Sequence, residues 1–263
     1  MRKRIVVKVG TSTLTLDNGQ VNLRTMDKLA QILSSLHNEG HEVILVSSGA
    51  IAVGVSKMRL SEKPKELRMK QAAAAVGQCE LMHIYDKLFG EYGAMVAQIL
   101  LTEEDIINDN RRNNLINTFE ALLESGMIPI VNENDSVSAT EIESEKKVFG
   151  DNDMLSAIVS DLCHADELII MSDIEGLYDD NPRTNPFAKV IHVVEKVDES
   201  IMSFAHGSGT NRGTGGMDTK LQAAKYVTDR GIDMYITHGN KPANIYAIMS
   251  GKEIGTWFKH QEW

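Results

Sequence analysis

Cysteine is scarce: the 263 residues hold two, Cys79 and Cys163, in no paired motif. That fits a reducing cytoplasm and two thiols buried as small core residues, with no disulfide framework. Basic runs are missing too. The net charge is −10 and no lysine or arginine cluster is long enough for a nucleic-acid footprint, so a polyanionic partner is not expected. Long apolar runs are absent. The first, Ile5 to Val7, is interrupted by Lys8 and is too short for a signal-peptide core or a membrane span. No internal repeat, low-complexity segment or Pro/Gly-rich linker divides the chain. There is no GxSxG, so no hydrolase elbow. His37 and His41 are separated by Gly40, which argues against a zinc pair. A cytoplasmic protein of one domain spanning 1–263, with no membrane or nucleic-acid partner, is the expectation.

What is present is alternation. With 42% apolar residues the chain can bury a sizeable core. Ile5–Val9, Glu42–Val46, Met95–Leu100, Ile128–Val131, Leu168–Met171 and Met234–Thr237 read as strands, with a last one at Ile254–Phe258. Several are near-continuous in Val, Ile and Leu, as when helices cover both faces of a sheet. Helical spacing runs from Leu23 to Leu36, over Glu66–Phe89, Asp151–His164 and Thr214–Arg230. Strand and helix in this order give an α/β fold with a parallel or mostly parallel sheet. The stretch Glu66–Phe89 is apolar on more than one face, as for a buried helix or a subunit interface. Two irregular polar stretches, Asp135–Gly150 and His206–Gly216, are long enough to point to function.

In open α/β sheets ligands bind beyond the carboxyl ends of the strands. Those ends read Lys8-Val9-Gly10-Thr11-Ser12, Ser47-Ser48-Gly49-Ala50, Asn132-Glu133-Asn134-Asp135, Ser172-Asp173 and Thr237-His238-Gly239. Lys8 stands inside an apolar strand. Either that strand is an edge with Lys8 turned to water, or the lysine is aimed at an anion, with Gly10 letting backbone N–H groups approach phosphate. Ser48 precedes a helix start and is either an ordinary cap or part of an anion site.

The string GTGGMDTK, Gly213 to Lys220, is a glycine-rich turn feeding a helix. It is neither a Walker A loop nor a GxGxxG, because Thr219 precedes Lys220 and Asp218 occupies the last glycine position. Glycines let a backbone approach a ligand closely, and a lysine beyond them suggests an anion. In GDNDMLSA, Gly150 to Ala157, Asp151 and Asp153 flank Asn152. Acids there stabilise a helix start, and the further oxygen ligands of a calcium loop are missing.

Together these residues resemble the amino acid kinase family. The strings that carry the resemblance are VVKVGTS (Val6–Ser12), VSSGAIAVG (Val46–Gly54), QAAAAVGQ (Gln71–Gln78), VNENDSV (Val131–Val137), FGDNDMLSA (Phe149–Ala157), SDIEGLYDDNPR (Ser172–Arg183) and GTGGMDTKLQAA (Gly213–Ala224). NEND followed by GDND marks the branch that acts on glutamate. The resemblance implies a three-layer αβα sandwich and phosphoryl transfer from ATP to the γ-carboxylate of L-glutamate, the first step of proline biosynthesis. It implies a glutamate side mainly in the N-terminal part and a nucleotide side mainly in 165–263. Lys8 and Lys220 are expected to flank the transferring phosphoryl group and Asp153 to hold them. Ser48, Asp135 and Asn152 are expected to bind glutamate. Lys8, Gly10, Ser172, Asp173, Thr214, Gly215, Gly216, Met217, Asp218, Thr219 and Lys220 are expected to bind ATP. Mg²⁺ is expected to be held through the nucleotide phosphates, with no protein metal site.

The resemblance also implies a homodimer or homotetramer and feedback inhibition by proline. Many members of this branch carry a further C-terminal RNA-binding-like PUA domain, which is not expected here. Ser172 stands where threonine is usual and keeps the hydroxyl. The stretch before GDND, with Glu143 to Lys147, is longer and more charged than is typical, in a region that bears on glutamate binding and proline control. Two other classes compete. A non-catalytic nucleotide or amino-acid sensor could lose both lysines and Asp153, and this chain keeps them. A relative acting on another carboxylate or on carbamate is opposed by Asp135 and Asn152, which favour free glutamate.

Overall fold

The structure is a computed structural model that describes residues 2–137, 151–182, 184–204 and 216–261. The chain forms two compact units, Met1–Lys8 with Phe149–Trp263, and Val9–Val148. Among the described residues eight strands, mostly parallel, give the α/β class. The first, β1 (Arg4–Val9), is buried from Ile5 to Val9, Lys8 included.

The Val9–Val148 unit then contains α1 (Thr11–Leu14), α2 (Leu23–Asn38), β2 (Glu42–Ser47), α3 (Ala50–Lys57), α4 (Leu67–Glu91), β3 (Met95–Leu101), α5 (Glu103–Ile107), α6 (Asp109–Glu124) and β4 (Met127–Glu133). Its strands are hydrogen-bonded in the order β3-β4-β2, all parallel, with Ile99 opposite Val131 and Leu45 opposite Ile130. Parallel pairing brings the carboxyl ends of these strands to one edge. Ser47-Ser48 and Asn132-Asp135 therefore leave the sheet on the same side. Asn22 caps α2 by accepting from Thr25 N at 3.2 Å, and the helix buries Met26, Leu29, Ala30, Leu33 and Leu36 at helical spacing.

The turn from β2 into α3 needs Gly49, whose φ of +93° a side chain rarely adopts. Helix α3 then lies against α4 with almost no space between their backbones. A Cβ added to Gly54 would stand 1.8 Å from Ala73 O, and one added to Gly77 would stand 1.8 Å from Ala50 O. The 25-residue α4 buries Ala73, Ala74, Gly77, Leu81, Tyr85 and Phe89 on one line, while Ala72 and Ala75 are exposed. Cys79, expected to be a core residue, is exposed, whereas Cys163 is buried. Cys79 lies two positions past Gly77, about 200° around the helix from the buried line.

The other unit continues from β1 with α7 (Asn152–Leu162), β5 (Glu167–Ser172), β6 (Val193–Val194), α8 (Glu199–Ser203), α9 (Met217–Thr228), β7 (Asp233–His238), α10 (Asn244–Met249) and β8 (Thr256–Phe258). Its strand order is β1-β5-β7-β8-β6. Strands β5 and β7 are parallel, with Leu168 opposite Met234 and Met171 opposite Thr237. All six residues of β5 are buried, as a strand covered by helices on both faces must be, which is the αβα layering.

The last strand is shorter than the expected Ile254–Phe258 and runs antiparallel to β7, pairing Tyr235 with Trp257. Gly255 turns the chain with φ +69° just before it. The helix expected from Thr214 begins at Met217, with extended Gly216 as its cap. Helices α5, α6, α8 and α10 and the two-residue β6 were not anticipated. Helix α6 carries Asp109, Asn110, Arg111, Arg112, Asn113 and Asn114 in its first two turns, and this run hides its period.

Candidate active site

The carboxyl end of β1 and the start of α7 meet in the same unit. Asp151 caps α7: its Oδ1 accepts from Asp153 N at 2.9 Å and from Met154 N at 3.2 Å. The cap directs the next acid inward. Asp153 is fully buried, and Lys8 Nζ donates to its Oδ1 at 2.5 Å while Lys220 Nζ donates to its Oδ2 at 3.0 Å. Thr219 Oγ1 adds a longer hydrogen bond to Oδ2 at 3.3 Å and also donates to Gly216 O at 2.9 Å.

Lys8 is 7% exposed and Lys220 5%. Lys8 is thus not an edge-strand lysine turned to water. Two ammonium groups bracket one carboxylate in a medium where charge interactions are strong. Burial works against the Asp153 carboxylate, but Lys8 and then Lys220 outweigh it and hold its pKa below the ordinary value. Asp151 moves the other way. Burial, and then the charge of Asp153, raise its pKa. Its second oxygen, Oδ2, is buried with no hydrogen-bond partner among the described residues.

Other expected nucleotide residues belong to this unit. Ser172 ends β5 and its Oγ donates to Asp173 Oδ1 at 3.1 Å. Gly216 caps α9, and Met217, Asp218 and Thr219 form its first turn, with Lys220 one residue further. Asn152 is the first residue of α7. Thr214 and Gly215, Gly213 with them, and the stretch Glu143 to Lys147 lie outside the described residues. Gly10 belongs to the Val9–Val148 unit, where it is extended at φ −84° and its carbonyl accepts from Thr13 N at 3.1 Å.

That unit holds Ser48 and Asp135. Ser48 N donates to Val9 O at 3.1 Å, at the start of the turn into α3. Asp135 borders a pocket of about 330 Å³ with Ala50, Ala74 and Leu100 among its apolar walls and Gln78, Gln98 and Glu133 among its polar ones. Burial raises the Asp135 pKa, with Lys63 opposing. Sequence reasoning missed three features here. Lys63 acts on Asp135 from a loop remote in sequence. Gln78 is bonded to Asn132, and Tyr85 is bonded to Ser47. Gln78 stood inside the QAAAAVGQ string, and its polarity among alanines was the available signal.

Among the described residues no group of three or more His, Cys, Asp or Glu could hold a metal ion, and no helix is long and apolar enough to cross a membrane.

Two buried lysines thus meet on one carboxylate where β1 ends and α9 begins. The chain belongs to the amino acid kinase family, whose profile matches residues 3–238. It is similar to the glutamate 5-kinase of Clostridium perfringens, with 57% identity across 97% of this chain and 95% of that protein. The glutamate 5-kinase of Listeria monocytogenes is 53% identical, covering 97% of this chain and 92% of that protein. Two solved structures share the fold at low identity. Carbamate kinase from Giardia lamblia bound to AMP-PNP matches with a TM-score of 0.69 at 13% identity, over 98% of both chains. Isopentenyl phosphate kinase from T. acidophilum matches with a TM-score of 0.63 at 15% identity, over 97% of this chain and 100% of that one.

Proposed function

We propose that this chain is a glutamate 5-kinase: it transfers the γ-phosphoryl group of ATP to the γ-carboxylate of L-glutamate, giving γ-glutamyl phosphate and ADP, the first step of proline biosynthesis. The observation that carries the phosphoryl-transfer reading is Asp153 holding Lys8 and Lys220 together in a buried setting. The similarity to glutamate 5-kinases at more than 50% identity supplies the substrate.

A carboxylate oxygen forms the new bond to the γ-phosphorus as the bond to the bridging oxygen breaks, and ADP leaves with the electron pair. The γ-carboxylate is already ionised at neutral pH, so no general base is needed and catalysis is placement and charge neutralisation. Lys8 and Lys220 neutralise charge on the transferring group, and Asp153 fixes them. Asp173, Ser172 and the residues from Thr214 to Lys220 line the nucleotide, and Gly10 approaches a phosphate. Ser48, Asp135 and Asn152 bind glutamate, with Asp135 taking the ammonium group. Mg²⁺ accompanies the ATP phosphates and offsets their charge. The described acids form no cluster that would hold the ion by itself.

The enzyme works in the cytoplasm as a homodimer or homotetramer. The exposed Ala72 of α4 supports self-association through that helix. Proline competes with glutamate for the Asp135 pocket, and the stretch from Asp135 to Gly150 sets its affinity.

The experiment is trapping of the acyl phosphate as a hydroxamate, over a panel of acids. Glutamate-dependent hydroxamate with ADP release is expected. Turnover of another acid or of carbamate in preference to glutamate would reassign the substrate. Initial rates at several proline and glutamate concentrations test control, and inhibition that high glutamate cannot overcome would reject the shared pocket.

A further inference from the structure

Helix α4 reaches two strand ends of its own unit. Gln78 Oε1 accepts from Asn132 Nδ2 at 3.0 Å, and Asn132 Oδ1 accepts from Glu133 N at 2.9 Å. Seven residues further along α4, on the same face, the hydroxyl of fully buried Tyr85 meets Ser47 Oγ at 2.9 Å. Ser47 immediately precedes Ser48, and Asn132 lies three residues before Asp135. The support beneath them is closely packed. Gly54 and Gly77 bring α3 and α4 into backbone contact, with carbonyls where any Cβ would fall.

The Gln78–Asn132 contact is directional. With Gln78 Oε1 accepting, the NH₂ of Asn132 faces α4 and its oxygen faces Glu133 N–H. If the carboxamide turned over, it would set a donor against that N–H, and a buried donor left unmatched is costly. The Glu133 N–H therefore fixes which way Asn132 points, and Gln78 accepts from the NH₂ that this leaves facing α4, tying Asn132 to the helix; Asn134 N, donating to Leu101 O at 2.7 Å, also holds the turn that carries Asp135.

We infer that Gln78 is a positioning residue for the amino-acid pocket: acting through Asn132, it holds the strand end in the conformation that presents Asp135 to substrate. This rests on the glutamate reading above. It predicts a loss in substrate binding with little loss in chemistry, because Lys8, Asp153 and Lys220 are untouched.

The test is steady-state kinetics on the full chain. In Gln78→Leu the KM for glutamate should rise about tenfold, the scale of one lost hydrogen bond, while kcat and the KM for ATP stay within about twofold. In an Asn132→Ala background the same change should add nothing further. Gln78→Met keeps the length and packing and serves if the leucine variant does not fold. An unchanged KM for glutamate overturns the inference. So does a fall in kcat that tracks loss of thermal stability, which would make Gln78 merely structural. A full multiplicative effect on top of Asn132→Ala would mean that Gln78 acts directly and not through Asn132. Wild-type protein with no glutamate-dependent turnover overturns the substrate reading and this inference with it; active wild type beside an unaffected variant overturns the inference alone.

Discussion

The two compact units solve opposite problems. Around Asp153 the chain buries fixed charge: two lysines, each less than one tenth exposed, on a carboxylate that they keep ionised. Around Asp135 the pocket mixes amides and apolar residues with a second acid, Glu133, and burial raises the pKa of Asp135. A transferring phosphoryl group carries negative charge throughout, so cations held in place help it at every stage. An amino acid brings its own ammonium group. On the proposed reading, a carboxylate raised in pKa by burial would gain a matching cation when substrate binds.

The largest effect should follow from breaking the charged side. Lys8→Ala and Lys220→Ala are each expected to lower kcat by about 10²–10³, the scale of removing one transition-state donor, with much smaller changes in the KM for glutamate. Initial rates over a glutamate series check this, and a near-normal kcat in either variant would reject the two-lysine mechanism.

Breaking the other side should read out in binding. Asp135→Asn is expected to raise the KM for glutamate by about 10–150-fold, the range for one hydrogen bond to a charged group, and to leave the KM for ATP unchanged. Glutarate, which lacks the ammonium, should lose its disadvantage against glutamate in this variant. Equal discrimination in variant and wild type would give Asp135 another role.

Acid should separate the two regions. The Asp135 pKa lies above the ordinary 3.8, so as pH falls this carboxyl takes up a proton early and the ammonium loses its partner. The Asp153 pKa lies below 3.8. Its folded value is depressed, so the stability from its lysine pairs is present above 3.8 and is lost only as pH falls through that lower folded value. The KM for glutamate should therefore rise on acidification at a pH where kcat and the thermal midpoint still hold. Parallel loss of all three would contradict the contrast.

The smallest effect sharpens the support beneath the pocket. Gly77→Ala forces a methyl group onto Ala50 O. Overpacking of about 1–3 kcal/mol should lower the thermal midpoint by about 2–10 °C in a chain of this size, and calorimetry measures it. An unchanged midpoint would mean that α3 and α4 part without cost.

Much of this architecture is legible in the residues themselves. The V/I/L runs announce six strands within a residue or two, because a strand buried on both faces leaves little room for polar residues. The recurrent glycine, serine and acid at strand ends are what single out the candidate site residues. Short runs that follow a different logic escape such a reading. The pair Val193–Val194 is a strand through its bonding to β8, and no period can be read from two residues. Cys79 is misjudged because α4 is rich in alanine on several sides, and composition alone does not say which side is covered.

By itself the sequence determined the class and the chemistry available: alternating strands and helices, a lysine where an apolar strand should have none, a glycine-rich turn feeding a helix that carries a lysine. Those are local properties, set by side-chain period and by what each residue type can do. Tertiary structure decided which charges meet. Lys8 and Lys220 are 212 positions apart, and nothing local says that both would reach the two oxygens of Asp153. The Gln78–Asn132 bond spans 54 positions in the same way. The first depends on α7 and α9 starting beside the end of β1, the second on α4 running beside the end of β4.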